Sequence, residues 1–186
     1  KILTALLALT FMSAALAGCT SNDDTDDAEP QPDVVKIGFL NPATGPLAQD
    51  AAGFEYGALQ AVIDLNAAQT TTVFEAVVAD SGCDGTVGAA AAQSLVDANV
   101  VAVAGAACSG ASMAANAVLS AAGIPMISYA STNPSLSDAT AYPNFFRVVP
   151  SDAIQGPAAA AMMVDAQATN PAILHMTNDY GSGFAD

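Results

Sequence analysis

The apolar positions of this chain fall into blocks whose spacing switches between two periods. Residues 34–40 (Val-Val-Lys-Ile-Gly-Phe-Leu) form a short, nearly continuous apolar run of the kind that makes a strand buried on both faces. It ends in turn chemistry at Asn41-Pro42-Ala43-Thr44-Gly45-Pro46. Phe54, Ala58, Ala61, Val62 and Leu65 then recur at helical spacing, ending near Asn66. The alternation continues. Strands are predicted over 71–79, 100–104, 126–128 and 172–177, with an extended segment at 145–149. Helices are predicted around Val87, Ala91 and Leu95, then over 110–122 and 152–167, and Gly181 opens a further turn. Strands separated by helices of this length call for right-handed crossovers and a parallel sheet covered on both faces, so the fold class is α/β. In such sheets ligands sit beyond the carboxyl ends of the strands, which directs attention to the loops after Leu40, Ala79, Ala104, Ser128 and Thr177.

The N-terminal segment follows neither period. Lys1 precedes an apolar run from Ile2 to Ala17, the length of a secretory signal core and too short for a stop-transfer helix. It closes on Leu16-Ala17-Gly18-Cys19, similar to the lipobox of secreted lipoproteins, whose cysteine is lipidated; an ordinary secretory peptide is the alternative. Residues 20–33 are acidic, proline-punctuated and without apolar periodicity, as expected of a disordered tether. The predicted organisation is a lipoprotein signal peptide over 1–18, then lipidated Cys19 and its tether over 19–33.

Charge narrows the function. The 186 residues carry 18 acidic and 3 basic side chains, a formal net charge of −15. With Lys1, Lys36 and Arg147 as the whole cationic complement, binding nucleic acid by neutralising its backbone is excluded. The acidity reads equally as adaptation to salty surroundings or as a compositional habit of the genome.

Catalytic and cofactor motifs are missing. There is no GxGxxG or Walker loop and no Cys/His cluster at metal spacing, so no cofactor is expected. The single histidine, His175, lies in an apolar run and reads as structural, and Ser182 lacks the fifth-position glycine of a nucleophile elbow. An enzyme is not expected. Cys83 follows the second strand and Cys108 the third, so both lie at one edge of the sheet if those strands are neighbours. In an oxidising compartment they pair naturally, two reduced thiols being the alternative. Gly105-Ala106-Ala107-Cys108-Ser109-Gly110 frames a helix N-terminus, where free N–H groups favour an anion. Ser109 is either an extra donor to that anion or a plain N-cap.

These residues resemble a family. Thr44-Gly45-Pro46, Cys83-Asp84, Cys108-Ser109, Ile127 through Pro134, Phe146-Arg147, Gln155-Gly156-Pro157 and Asp179-Tyr180-Gly181 stand in the order found in the leucine/isoleucine/valine-binding solute receptors of ABC transporters. The likeness runs from residue 34 to 186. It implies a periplasmic-binding-protein-like type I fold, two α/β lobes joined by hinge strands that clamp ligand between them, with a first ligand-binding lobe, incomplete, over 34–150 and the truncated start of a second over 151–186. By the same resemblance, Ser109 and Thr132 hold a ligand carboxylate through hydroxyl and backbone N–H. The Ala130 carbonyl and the Thr132 hydroxyl receive the ammonium, and Tyr180 closes over from the second lobe. A Cys83–Cys108 cystine matches the family's disulfide. Asp50 stands where the family has a tyrosine, and Ser131 adjoins Thr132; both are further candidates.

The implied function is a lipid-anchored extracytoplasmic receptor that captures an amino acid and delivers it to an ABC permease. Two alternatives stay open: the sensor domain of a receptor, and a binder of a small amide, urea or carboxylate solute. On this reading Thr132→Ala weakens binding about tenfold or more and leaves the melting temperature in place.

Overall fold

Strand β1 (Asp33–Asn41) is the hub of the sheet because both of its edges are taken. β2 (Thr72–Asp80) pairs along one edge and β3 (Ala102–Ala104) along the other, both parallel. β4 (Met126–Ser128) and β5 (Phe145–Arg147) extend the sheet beyond β3, giving the order β2-β1-β3-β4-β5. This computed structural model describes residues 33–185. The signal peptide, Cys19 and nearly all of the tether expected from the sequence lie outside the described residues.

Side-chain alternation along the strands divides the core into two faces. Gly38 pairs with Val77 and Val103, and a Cβ on it would lie 2.9 Å from Leu95, so this face meets α2 (Gly85–Asp97). Phe39, one residue on, faces the other way. Its ring lies 5.6 Å from Tyr129, which in turn lies 5.2 Å from Phe54 of α1 (Ala51–Ala68). The largest apolar cluster is on the α2 side, where Leu40, Leu95, Val103, Leu119 and Met126 are buried together between the sheet, α2 and α3 (Ser109–Ala121).

Small residues set how closely α2 and α3 approach. Ala91, Ala92, Ala111 and Ala115 are buried between them, and a Cβ at Gly88 would stand 3.0 Å from the Ala111 carbonyl oxygen. No backbone shift short of separating the helices makes room for a large side chain there. Gly88→Leu is therefore expected to destabilise by about 1–3 kcal/mol through overpacking. Urea denaturation checks this, and an unchanged midpoint contradicts it.

Caps follow the sequence chemistry. Asp84 accepts from the backbone N–H groups of Thr86 and Val87 at 2.8 and 3.0 Å, starting α2. Ser151 accepts from Ala153 N–H at 3.2 Å and starts α4 (Asp152–Asp165).

The structure departs from the sequence reading at the C-terminal end. Residues 172–177 form no strand: Leu174 is fully exposed and Ile173 is 62% exposed. An apolar run becomes a strand only when a neighbour takes up its backbone groups, and none of the described strands lies beside this one. The turn expected at Gly181 is instead helix α5 (Asp179–Ala185). Asn178 Oδ1 accepts from Gly181 N–H at 2.9 Å and opens that helix. The glycine there serves packing, since a Cβ at Gly181 would collide with the Met176 backbone. Among the described residues, no helix is long and apolar enough to cross a membrane.

Candidate ligand-binding site

The carboxyl ends of β3 and β4 carry two loops that the fold ties together by buried serines. Ser128 Oγ donates to the Ala106 carbonyl at 2.6 Å and accepts from Ser131 N–H at 2.9 Å. Ser131 Oγ lies 3.1 Å from both the Ala106 and Ala107 carbonyls and 2.8 Å from Ser112 Oγ. Ser112 Oγ accepts in turn from Ala106 N–H at 3.2 Å. All three hydroxyls are buried. Ser131 is therefore committed to joining the two loops, and its hydroxyl is not presented to a ligand. Arg147 adds a cationic tie by donating to the Asn133 carbonyl at 3.0 Å and to Ser137 Oγ.

Cys83 and Cys108 are bonded, their Cα atoms 5.2 Å apart. Their strands are not neighbours, because β1 stands between β2 and β3. The bridge instead joins the loops beyond the strand ends, across the top of β1. It fixes Cys108, the N-cap of α3, whose first turn has no side-chain cap. The backbone donors of that turn are thus left without an internal acceptor side chain.

Ser109 is the first residue of α3 and not its cap. Its Oγ accepts from Asn133 N–H at 3.3 Å, which leaves its own O–H free to donate. It is buried, because α5 lies over this corner: a Cβ at Gly110 would collide with the Asp179 carboxylate, and Asn133 Nδ2 donates to the Asp179 carbonyl. Tyr180, next to Asp179, is 41% exposed with its ring 6.3 Å from Phe184. The structure thus brings the start of α5 onto the Ser109 and Asn133 corner. Asp50 is exposed in the turn that precedes α1 and makes no side-chain capping hydrogen bond.

The residue that sequence reasoning missed is Asp152. It is 2% exposed, and its Oδ2 accepts from the Thr132 hydroxyl at 2.7 Å. Its Oδ1 accepts from Gln155 at 2.8 Å, and its N–H donates to the Thr132 carbonyl at 2.9 Å. In the sequence, Ser151-Asp152 reads as an ordinary helix start, and nothing in a separation of 20 residues links Asp152 to Thr132. The contact decides what the threonine can do. A hydroxyl has one hydrogen, and Thr132 has given its hydrogen to a carboxylate, so Oγ1 meets anything else as an acceptor. The Ala130 carbonyl, two residues away, receives no hydrogen bond among the described residues. Two acceptors therefore stand near a helix N-terminus that offers donors. The Thr132–Asp152 bond also overturns the expectation that Thr132→Ala spares stability, because it would deprive a buried carboxylate of a donor.

Two cavities flank these loops. One of about 860 Å³ is bordered by Asn133, Asp152, Gly156, Met163, Ile173 and Phe184. The other, about 370 Å³ and almost wholly apolar, lies between α1 and the sheet against Phe39, Phe54, Ala104 and Tyr129. Burial pushes the Tyr129 phenol well above its usual pKa, and its OH donates to the Leu40 carbonyl at 3.2 Å. Among the described residues no group of three or more His, Cys, Asp or Glu side chains is placed to hold a metal ion.

The parallel sheet flanked by helices is shared with solved solute-binding proteins of the periplasmic-binding-protein-like type I fold, and that likeness gives the fold class of this chain. The model of the receptor family ligand binding region matches residues 56–186, and the chain belongs to that family. Over 185 residues it is 30% identical to the leucine-, isoleucine-, valine-, threonine- and alanine-binding protein of Pseudomonas aeruginosa, covering 98% of this chain and 48% of that protein. The Leu/Ile/Val-binding protein of Escherichia coli K12 is 31% identical over 175 residues, covering 92% of this chain and 47% of that protein. Among solved structures, the branched-chain amino acid transporter substrate-binding protein LivJ of Streptococcus pneumoniae, in complex with isoleucine, superposes with a TM-score of 0.65 at 31% identity. That match covers 71% of this chain and 38% of LivJ. The relatives are thus of the type that the sequence motifs implied, solute-binding proteins and not enzymes. The chain spans about half the length of the curated relatives it matches.

Proposed function

We propose that this chain is the ligand-binding part of an extracytoplasmic receptor of an ABC importer, and that its ligand is an α-amino acid of the branched-chain type or close to it. One observation carries the reading. The Thr132 hydroxyl, committed to buried Asp152, becomes an acceptor beside the Ala130 carbonyl, while the uncapped first turn of α3 and the Ser109 O–H are donors. Acceptors paired with donors suit a zwitterion, whose ammonium and carboxylate need both at once. Each charge-assisted bond contributes roughly 1.5–3 kcal/mol. The donors are themselves neutral, while the Asp152 and Asp179 carboxylates lie against the same corner. The ligand sits between the Ser109–Thr132 corner on the first lobe, 34–150, and Tyr180 at the start of the second, 151–186. Cys19 carries the lipid, the acidic segment after it spaces the domain from the membrane, and a permease accepts the loaded form.

Thermal melts with and without leucine, isoleucine and valine test the ligand class. Binding to the folded state at about 100 times Kd stabilises by about 2.7 kcal/mol, so at least one of these amino acids raises Tm by several degrees. No shift with any of them at millimolar concentration contradicts the amino-acid assignment. Mass spectrometry of the mature N-terminus tests the anchor: a diacylglyceryl group on Cys19 is expected, and an unmodified Cys19 overturns that part.

A further inference from the structure

β2 is the outermost strand among the described residues, so one side of its backbone has no partner strand. In a strand, both backbone groups of a residue point to the same side and successive residues alternate. Thr72, Phe74, Ala76 and Val78 point outward from the sheet, away from β1. The first two are occupied in an unusual way. Asn66, in the last turn of α1, donates from Nδ2 to the Phe74 carbonyl at 2.9 Å and accepts at Oδ1 from Phe74 N–H at 2.8 Å. Gln69, which follows α1, repeats the pattern on Thr72: Nε2 donates to the Thr72 carbonyl and Oε1 accepts from Thr72 N–H at 2.8 Å. Each amide thus offers the edge one donor and one acceptor, the same groups a neighbouring strand would bring. Two consecutive outward positions are closed in this manner. Ala76 and Val78 have no such partner among the described residues.

We propose that the outer edge of β2 is a latent strand-pairing surface for a second copy of this chain, and that Asn66 and Gln69 keep it shut. The partner follows from the strand's own sequence, Thr-Val-Phe-Glu-Ala-Val-Val-Ala-Asp. Antiparallel pairing of two copies about a two-fold axis at Ala76 sets Phe74 opposite Val78, Thr72 opposite Asp80 and Glu75 opposite Val77. No like charges meet, and an aromatic stands against a β-branched residue. Val73 and Val78 already expose apolar side chains on the faces of this edge. A long, β-prone edge of this kind is a known hazard that proteins block explicitly. Here the block is two side-chain amides in place of charge, proline or a bulge.

The test is sedimentation velocity on the protein, the Asn66→Ala/Gln69→Ala double variant, and that variant with Ala76→Pro added. Proline at 76 removes the outward N–H that a second copy would bond, without removing a ladder bond to β1. The protein itself is expected to stay monomeric at roughly tens of micromolar, where the double variant forms a concentration-dependent dimer and the triple variant returns to monomer. A monomeric double variant with native circular dichroism overturns the proposal. So does a dimer that survives Ala76→Pro, or a wild-type dimer that Ala76→Pro dissociates. If the double variant fails to fold, Asn66→Ala alone, with Gln69 still on Thr72, decides: a partial dimer removed by Ala76→Pro supports the proposal, and a monomer opposes it.

Discussion

Cys83→Ser is expected to lower the unfolding free energy by about 3–4 kcal/mol, the chain-entropy value for a loop of this size. The bridged residues are separated by 25 positions, and the loop they close contains β1's neighbouring edge contacts, all of α2 and the whole of β3. The bond also holds the N-cap of α3, so its loss loosens the loop that carries Ser109. Guanidinium denaturation of the variant, and of the wild type with and without reductant, should give the same deficit twice. A loss below about 1 kcal/mol in both would show that the serine ties between the β3 and β4 loops hold this corner without the disulfide.

Thr132→Val is expected to weaken amino-acid binding about tenfold or more and to destabilise the fold by about 1–3 kcal/mol. The two effects share a cause. Valine keeps the shape of threonine but leaves Asp152 Oδ2 buried without its donor, and it removes the acceptor offered to the ligand ammonium. Thr132→Ser restores both groups and should recover most of the affinity and stability. Calorimetry and thermal melts on the pair separate the outcomes. Loss of stability with unchanged affinity would make Thr132 a purely structural support for Asp152.

What could be read from the chain follows from range. β4 forms at 126–128 as the short Met-Ile-Ser run predicts, and the α2, α3 and α4 helices form where alanine-rich periodicity places them, because those signals are local. Motif order pointed correctly to the Leu/Ile/Val-binding type. Strand order did not follow from spacing. Cys83 and Cys108 suggest adjacent strands, yet β1 lies between, since a loop beyond the strand ends can reach across one strand. Residues 172–177 carry the composition of a strand without the neighbour that would make one. The Thr132–Asp152 bond was illegible for a related reason. A serine-aspartate pair at a helix start is explained by capping alone, and its second role exists only once α4 folds against the β4 loop.

On the proposed function, Asp152, through Thr132, turns this corner into a receptor for an ammonium group paired with a carboxylate. Titration calorimetry of the protein with leucine and with 4-methylpentanoic acid, the same molecule without its amino group, tests it most directly. Leucine is expected to bind at micromolar affinity or tighter, and the des-amino acid at least about 100-fold more weakly, because the Ala130 carbonyl and the Thr132 hydroxyl would be left without donors under the bound ligand. Equal affinities for the two compounds, or tighter binding of the des-amino acid, would contradict the account.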